Sequence, residues 1–199
     1  MSVGRPALRS WTDSFGRSRI QVIVEVRNDA AGWVTFPSAA STYRIMDGAR
    51  EVALGAFTAL AAVTGPGETA YLVDTISVAA GDLTPRLSAE QNVVAVPTNR
   101  PAVTLSISRL RLTDGIGGGV RATGLVRNDG DEATRTVIAG VIALDRDGRP
   151  LAAVFDTTDV GQLNPGDARR FTTDANPGGP PVTTGGIGEL VGVAFEAGR

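Results

Sequence analysis

The 199-residue chain contains no cysteine, no histidine and no lysine. Without cysteine there is no disulfide, no thiolate nucleophile and no thiolate metal ligand. Without histidine the usual general base and the commonest transition-metal ligand are both gone. Without lysine there is no Schiff-base chemistry. Serine–histidine–aspartate, cysteine–histidine, HExxH and phosphate-loop readings all fail for want of parts. Carboxylates, hydroxyls and arginine remain, and no spacing among them marks a glycosidase-like acid pair. The expectation is no enzyme, no catalytic residue, no cofactor, no metal and no small-molecule substrate. The missing cysteine leaves the redox compartment open, because a chain of this length buries a core without a disulfide.

Long apolar runs are missing too. The stretch Ala56 to Val63 is far too short to cross a bilayer, so no transmembrane segment is expected. The opening MSVGRPALRSWTDSFGRSR has no apolar signal core. Net charge is −2, and all 19 basic residues are arginine, spread along the sequence without a run. Nucleic-acid binding needs clustered cations, so no nucleic-acid partner is expected.

What is present is a pattern written twice. Val26-Arg27-Asn28-Asp29 returns one hundred positions later as Val126-Arg127-Asn128-Asp129. Each follows an alternating run. Ile20, Val22, Val24 and Val26 share one face, as do Val120, Ala122, Gly124 and Val126. A period of two predicts a strand with one buried face. Asn-Asp then ends the strand, since both residues tolerate turns and bond to their own backbone. Asp47-Gly48 and Asp147-Gly148 follow strand-like runs, at Ser41 to Met46 and Val137 to Leu144, and read as hairpin turns. Pro66-Gly67-Glu68 answers Pro165-Gly166-Asp167, which makes Leu72 and Phe171 matching core positions. The shared order predicts an internal duplication, with Asn28 over Asn128 and Gly48 over Gly148.

The copies differ at their edges. The second opens with Val103 to Ile107 and changes phase to Leu110 and Leu112, which predicts a bulge or a crossing between sheets. It closes with the alternation Val191, Val193, Phe195. The first is expected to close with Val94-Ala95-Val96, leaving Pro97 to Pro101 as linker. No segment reads as a long amphipathic helix. About seven short strands per copy predict an all-β chain of two tandem immunoglobulin-like β-sandwiches. The first spans 1–98 with an N-terminal arm and the second spans 99–199.

The second copy, GLVRNDGDEATRTVIAGVIALDRDGRPL followed by LNPGDARRF, resembles the bacterial FxLYD-type immunoglobulin-like domain. Ala143-Leu144-Asp145 stands where that family has its Leu-Tyr-Asp. The first copy is more divergent, with a Trp-bearing insertion, Gly32 to Pro37. The resemblance implies a sandwich fold and a non-catalytic module appended on the outer side of a bacterial membrane.

Three local features bear on function. Asp145-Arg146-Asp147-Gly148, with Asp129, Asp131 and Glu132 near in sequence, resembles part of a calcium loop. It lacks the third Asp and the spacing that supplies the ion's about six to eight oxygens, so it reads as a plain hairpin. The Gly-rich stretches 115–119, 178–179 and 185–186 lack the strand-to-helix setting of a phosphate loop and read as turns. Trp11, Phe15, Trp33 and Phe36 make the first copy aromatic-rich. They are either core or a protein interface, since buried Trp is favoured at binding hot spots. The leading expectation is a non-enzymatic, extracytoplasmic module that acts as a spacer or binds a protein, or that self-assembles. The alternative is a structural subunit of a larger assembly, such as a virion or tail, a surface filament or an envelope complex.

Overall fold

The structure is a computed structural model. It describes the chain except residues 38, 62, 102, 115–119, 157–159, 174–179, 183 and 198–199, and except the side chains of 114, 155, 156, 184 and 197. The Gly-rich stretches 115–119 and 178–179 lie outside the described residues, while Gly185 and Gly186 belong to a short 3-10 turn, Thr184–Gly186. The chain divides into two compact units, Met1–Arg100 and Pro101–Arg199. Both are built of antiparallel strands, and the described residues contain no α-helix.

The first unit contains β1 (Ser2–Val3), β2 (Ala7–Thr12), β3 (Ser18–Arg27), β4 (Trp33–Thr35) and β5 (Thr42–Asp47). It continues with β6 (Arg50–Ala56), β7 (Thr58–Ala59), β8 (Thr69–Val78), β9 (Leu87–Asn92) and β10 (Val96–Thr98). In one sheet β3 lies between β8 and the two N-terminal strands, with β7 beyond β8; in a second β5 lies between β6 and β9; and β4 and β10 form a two-stranded sheet. The inner faces meet in one core. Ile20, Val22, Val24 and Val26 from β3, with Ala70 and Leu72 from β8, pack with Tyr43 and Ile45 from β5, and with Phe36 and Phe57. The segment read as an arm is thus an edge of the sheet.

The second unit contains β11 (Leu105–Asp114), β12 (Val120–Asn128), β13 (Thr136–Leu144), β14 (Pro150–Asp156), β15 (Ala168–Thr172) and β16 (Glu189–Ala197). Its sheets are β11-β12-β15 and β14-β13-β16. Ala122 and Val126 face Val137, Ala139 and Val141 across a core that holds Leu163 and Phe171. Gly124 is required there: a Cβ on it would stand 2.5 Å from the Phe171 ring.

The repeated asparagines hold the same bonds in both units. Asn28 Oδ1 accepts from the Ala30 amide, and Nδ2 donates to the carbonyls of Gly32 and Thr64. Asn128 does the same with Gly130, Glu132 and Leu163. The Asn28 backbone bonds to Glu68 and Gly67, the Asn128 backbone to Asp167 and Gly166. Each asparagine therefore ties the end of a strand to the Pro-Gly turn and to the segment before it.

Four expectations change in detail. First, Ile45 pairs with Ala53 and Ala143 with Ala152, each just before a register shift. Gly48 and Gly148 both hold positive φ but occupy turns of different length, since Asp47 pairs with Arg50 and Leu144 with Pro150. Second, the strand that closes the first unit on β5 is β9, not Val94 to Val96. Leu87-Ser88-Ala89-Glu90-Gln91-Asn92 lacks the β-branched and aromatic residues that mark a strand. Third, Pro97 and Thr98 are no linker, because β10 pairs with β4. Proline is tolerated on such a short edge. Fourth, β3 is buried on both faces: Gln21 and Ile23 are buried as well as their inward neighbours. The phase change in the second unit is a bulge, with the register shifting between Ser108 and Arg111.

Candidate functional site: a cationic sheet face

The bulge in β11 has a chemical consequence. Leu110 turns inward to the core, while Ser108 and Arg111 take outward positions opposite Leu125 and Thr123. Arg109 fits between them only by adopting φ of 56°, a left-handed conformation that is unfavourable for a residue with a Cβ. Arg109 and Arg111 line one open groove of about 390 Å³ together with Thr123 and Leu125 of β12 and Arg170 and Thr172 of β15. Arg121 precedes Thr123 by two positions on β12, so alternation sets it on the same face.

Arg109, Arg111, Arg121 and Arg170 make no ion pair among the described residues, in contrast to Arg127, whose Nε lies 3.0 Å from Asp129. The Arg121 Nε is buried and without a hydrogen-bond partner. An unpaired buried donor is costly, and guanidinium is built to take a carboxylate or phosphate through two parallel bonds. The face is therefore equipped to receive an anion. Sequence reasoning missed it, because the arginines are scattered along the chain and meet only when three strands pair. The one signal was the phase slip before Leu110.

The same ladder positions in the first unit carry different chemistry. Where Arg111, Thr123 and Thr172 stand in a row, the first unit has Ala7, Ile23 and Val73. Tyr71 stands in the place of Arg170, opposite Glu25 rather than Leu125. Ile23, Tyr71 and Val73 are buried.

The four aromatic candidates do not form one surface. Phe36 is a core residue, and Trp11, on β2, is 7% exposed. Phe15 is 66% exposed at the tip of the β2–β3 hairpin, under the Arg17 guanidinium at 4.8 Å. Trp33 is half-buried on β4, near the opposite end of β3, with the Arg100 guanidinium 6.0 Å from its ring. The length of β3, roughly 30 Å, separates Phe15 from Trp33.

The acidic candidates serve turns. Asp145 Oδ1 accepts from the amides of Asp147 and Arg149, and Asp129 accepts from Ser106 and pairs with Arg127. The described residues hold no cluster of metal-ligating groups. Asp13 repeats the Asp145 turn. In each Asp-x-x-Gly-Arg segment the carboxylate takes the amides two and four residues on. The Asp13 side chain is fully enclosed and also meets Arg17 and Arg19 at 2.8 and 3.1 Å. Burial works to raise its carboxyl. The amide of Arg17, the guanidiniums of Arg19 and Arg17 and the amide of Phe15 outweigh burial and hold the carboxyl down at about 2.

No family model matches the chain, and no curated protein matches it. Among solved structures it is similar to a red sea bream transglutaminase at 13% identity and a TM-score of 0.23, over 87% of this chain and 27% of that one. It is also similar to a β-glucuronidase from Ruminococcus gnavus at 11% identity and a TM-score of 0.17, over 89% of this chain and 36% of that one. The chain thus spans about a third or less of the length of these proteins.

Proposed function

We propose that this chain is a non-enzymatic module of two immunoglobulin-like sandwiches, related to FxLYD-type domains, that stands outside the cytoplasm of a bacterium and binds a protein partner. The observation that carries the reading is the divergence of two equivalent sheet faces. One carries Ile23, Tyr71 and Val73 and is buried there, while the other offers arginines that have no ion pair among the described residues around an open groove. The matched asparagine networks support a common origin for the units. Chemistry that the fold does not need has then been placed on one unit alone. Exposed polar and charged groups on a rigid scaffold are how such modules recognise partners.

Two measurements test this. Light scattering on the purified chain is expected to give a monomer; a closed or filamentous homo-oligomer would favour the structural-subunit reading instead. Fractionation of native cells is expected to place the chain in the envelope, and recovery from the cytosol would overturn that placement.

A further inference from the structure

We propose that the outer face of β11, β12 and β15 docks an extended acidic peptide segment of a partner protein, whose carboxylates at alternate positions are received by Arg121, Arg111 and Arg170. The proposal rests on the reading of the chain as a binding module and specifies what that module binds.

The argument begins with spacing. Along β12, Arg121, Thr123 and Leu125 follow at intervals of two residues, and Arg111 and Arg170 pair across from the last two. The cations therefore step along the strand direction by about 7 Å. Alternate side chains of an extended peptide have the same step, so acidic residues at every second position meet the arginines in register. The groove also carries the apolar side chain of Leu125 and the hydroxyls of Thr123 and Thr172. These suit a peptide, which has apolar stems and backbone carbonyls between its charges.

One feature of this unit is otherwise a cost without return. Arg109 holds a left-handed backbone that brings a further guanidinium to the groove, and strain of this kind gathers at ligand sites. Nucleic acid and anionic membrane are less favoured, because a patch of this size neutralises few phosphates.

The test uses the full chain and a fluorescent peptide alternating Glu with Thr, read by anisotropy at low salt. A Gln-for-Glu peptide, a single-stranded oligonucleotide of equal charge and anionic lipid vesicles are the comparisons. Binding of the Glu peptide is expected, weakening as ionic strength rises past about 0.15 M. Arg111→Glu and Arg170→Glu are each expected to weaken it by ~tenfold or more, while Arg149→Glu, in the β13–β14 turn, leaves it unchanged. Arg109→Gly removes one cation without disturbing the turn of the chain, and is expected to weaken binding several-fold. No binding of the Glu peptide, equal binding of the Gln peptide, or tighter binding of the oligonucleotide or the vesicles would each overturn the proposal. Those results would leave the monomer and envelope measurements standing, and the reverse also holds.

Discussion

Asn128 is fully buried and makes three side-chain hydrogen bonds. Asn128→Ala removes all three. The Gly130 amide and the Glu132 carbonyl lie near solvent, so each loses about 1 kcal/mol. The Leu163 carbonyl is enclosed but still accepts from the Thr134 amide, which limits its loss to the same order. The expected destabilisation is about 3 kcal/mol. Asn28 makes the same three bonds, and Thr64 keeps the Val34 amide, so Asn28→Ala is expected to cost the same within about 1 kcal/mol. Asn128→Asp preserves shape but sets a carboxylate against two carbonyls. It is expected to be worse than alanine at neutral pH, and to recover below the ordinary carboxylate range, where a protonated oxygen donates again. Urea unfolding followed by far-ultraviolet circular dichroism measures each variant. An Asn128→Ala cost under about 1 kcal/mol would refute the view that the repeated motif is a structural clasp. So would an Asn128→Asp variant that is more stable than Asn128→Ala at neutral pH.

Gly55→Ala is expected to cost about 2–4 kcal/mol by chemical unfolding. Its Cβ would fall 2.2 Å from the Tyr43 hydroxyl, which donates to Asp74 across the sandwich. Arg109→Gly is expected to raise stability by up to about 1 kcal/mol, because glycine relieves the left-handed backbone and returns part of the gain as unfolded-state entropy; a loss of stability by the same assay would contradict the strain. The Asp13 carboxyl is held at about 2, below the ordinary 3.8. Its contribution is therefore complete above 3.8 and lost as pH falls from there through about 2. Asp13→Asn is expected to flatten the acid side of a plot of Tm against pH, and an unchanged acid limb would sink that assignment.

The sequence by itself determined what short-range rules govern. Alternation in Ile20 to Val26 and Val120 to Val126 marked strands and their core faces, and Phe171 and Leu72 are core as their position after the Pro-Gly turn implied. The phase slip at Leu110 marked the bulge. Absent histidine, cysteine and lysine narrowed the chemistry before any fold was known. Tertiary structure decided the rest, since the deciding partners are distant in the chain. β9 is a strand because β5 presents it with free backbone groups, whatever its weak propensity. Whether Trp11 or Phe15 is covered depends on what the fold lays over each, which residue type cannot tell. The arginines of the groove lie as far apart as Arg109 and Arg170, so no run along the sequence could disclose that pairing of β11, β12 and β15 sets them on one face.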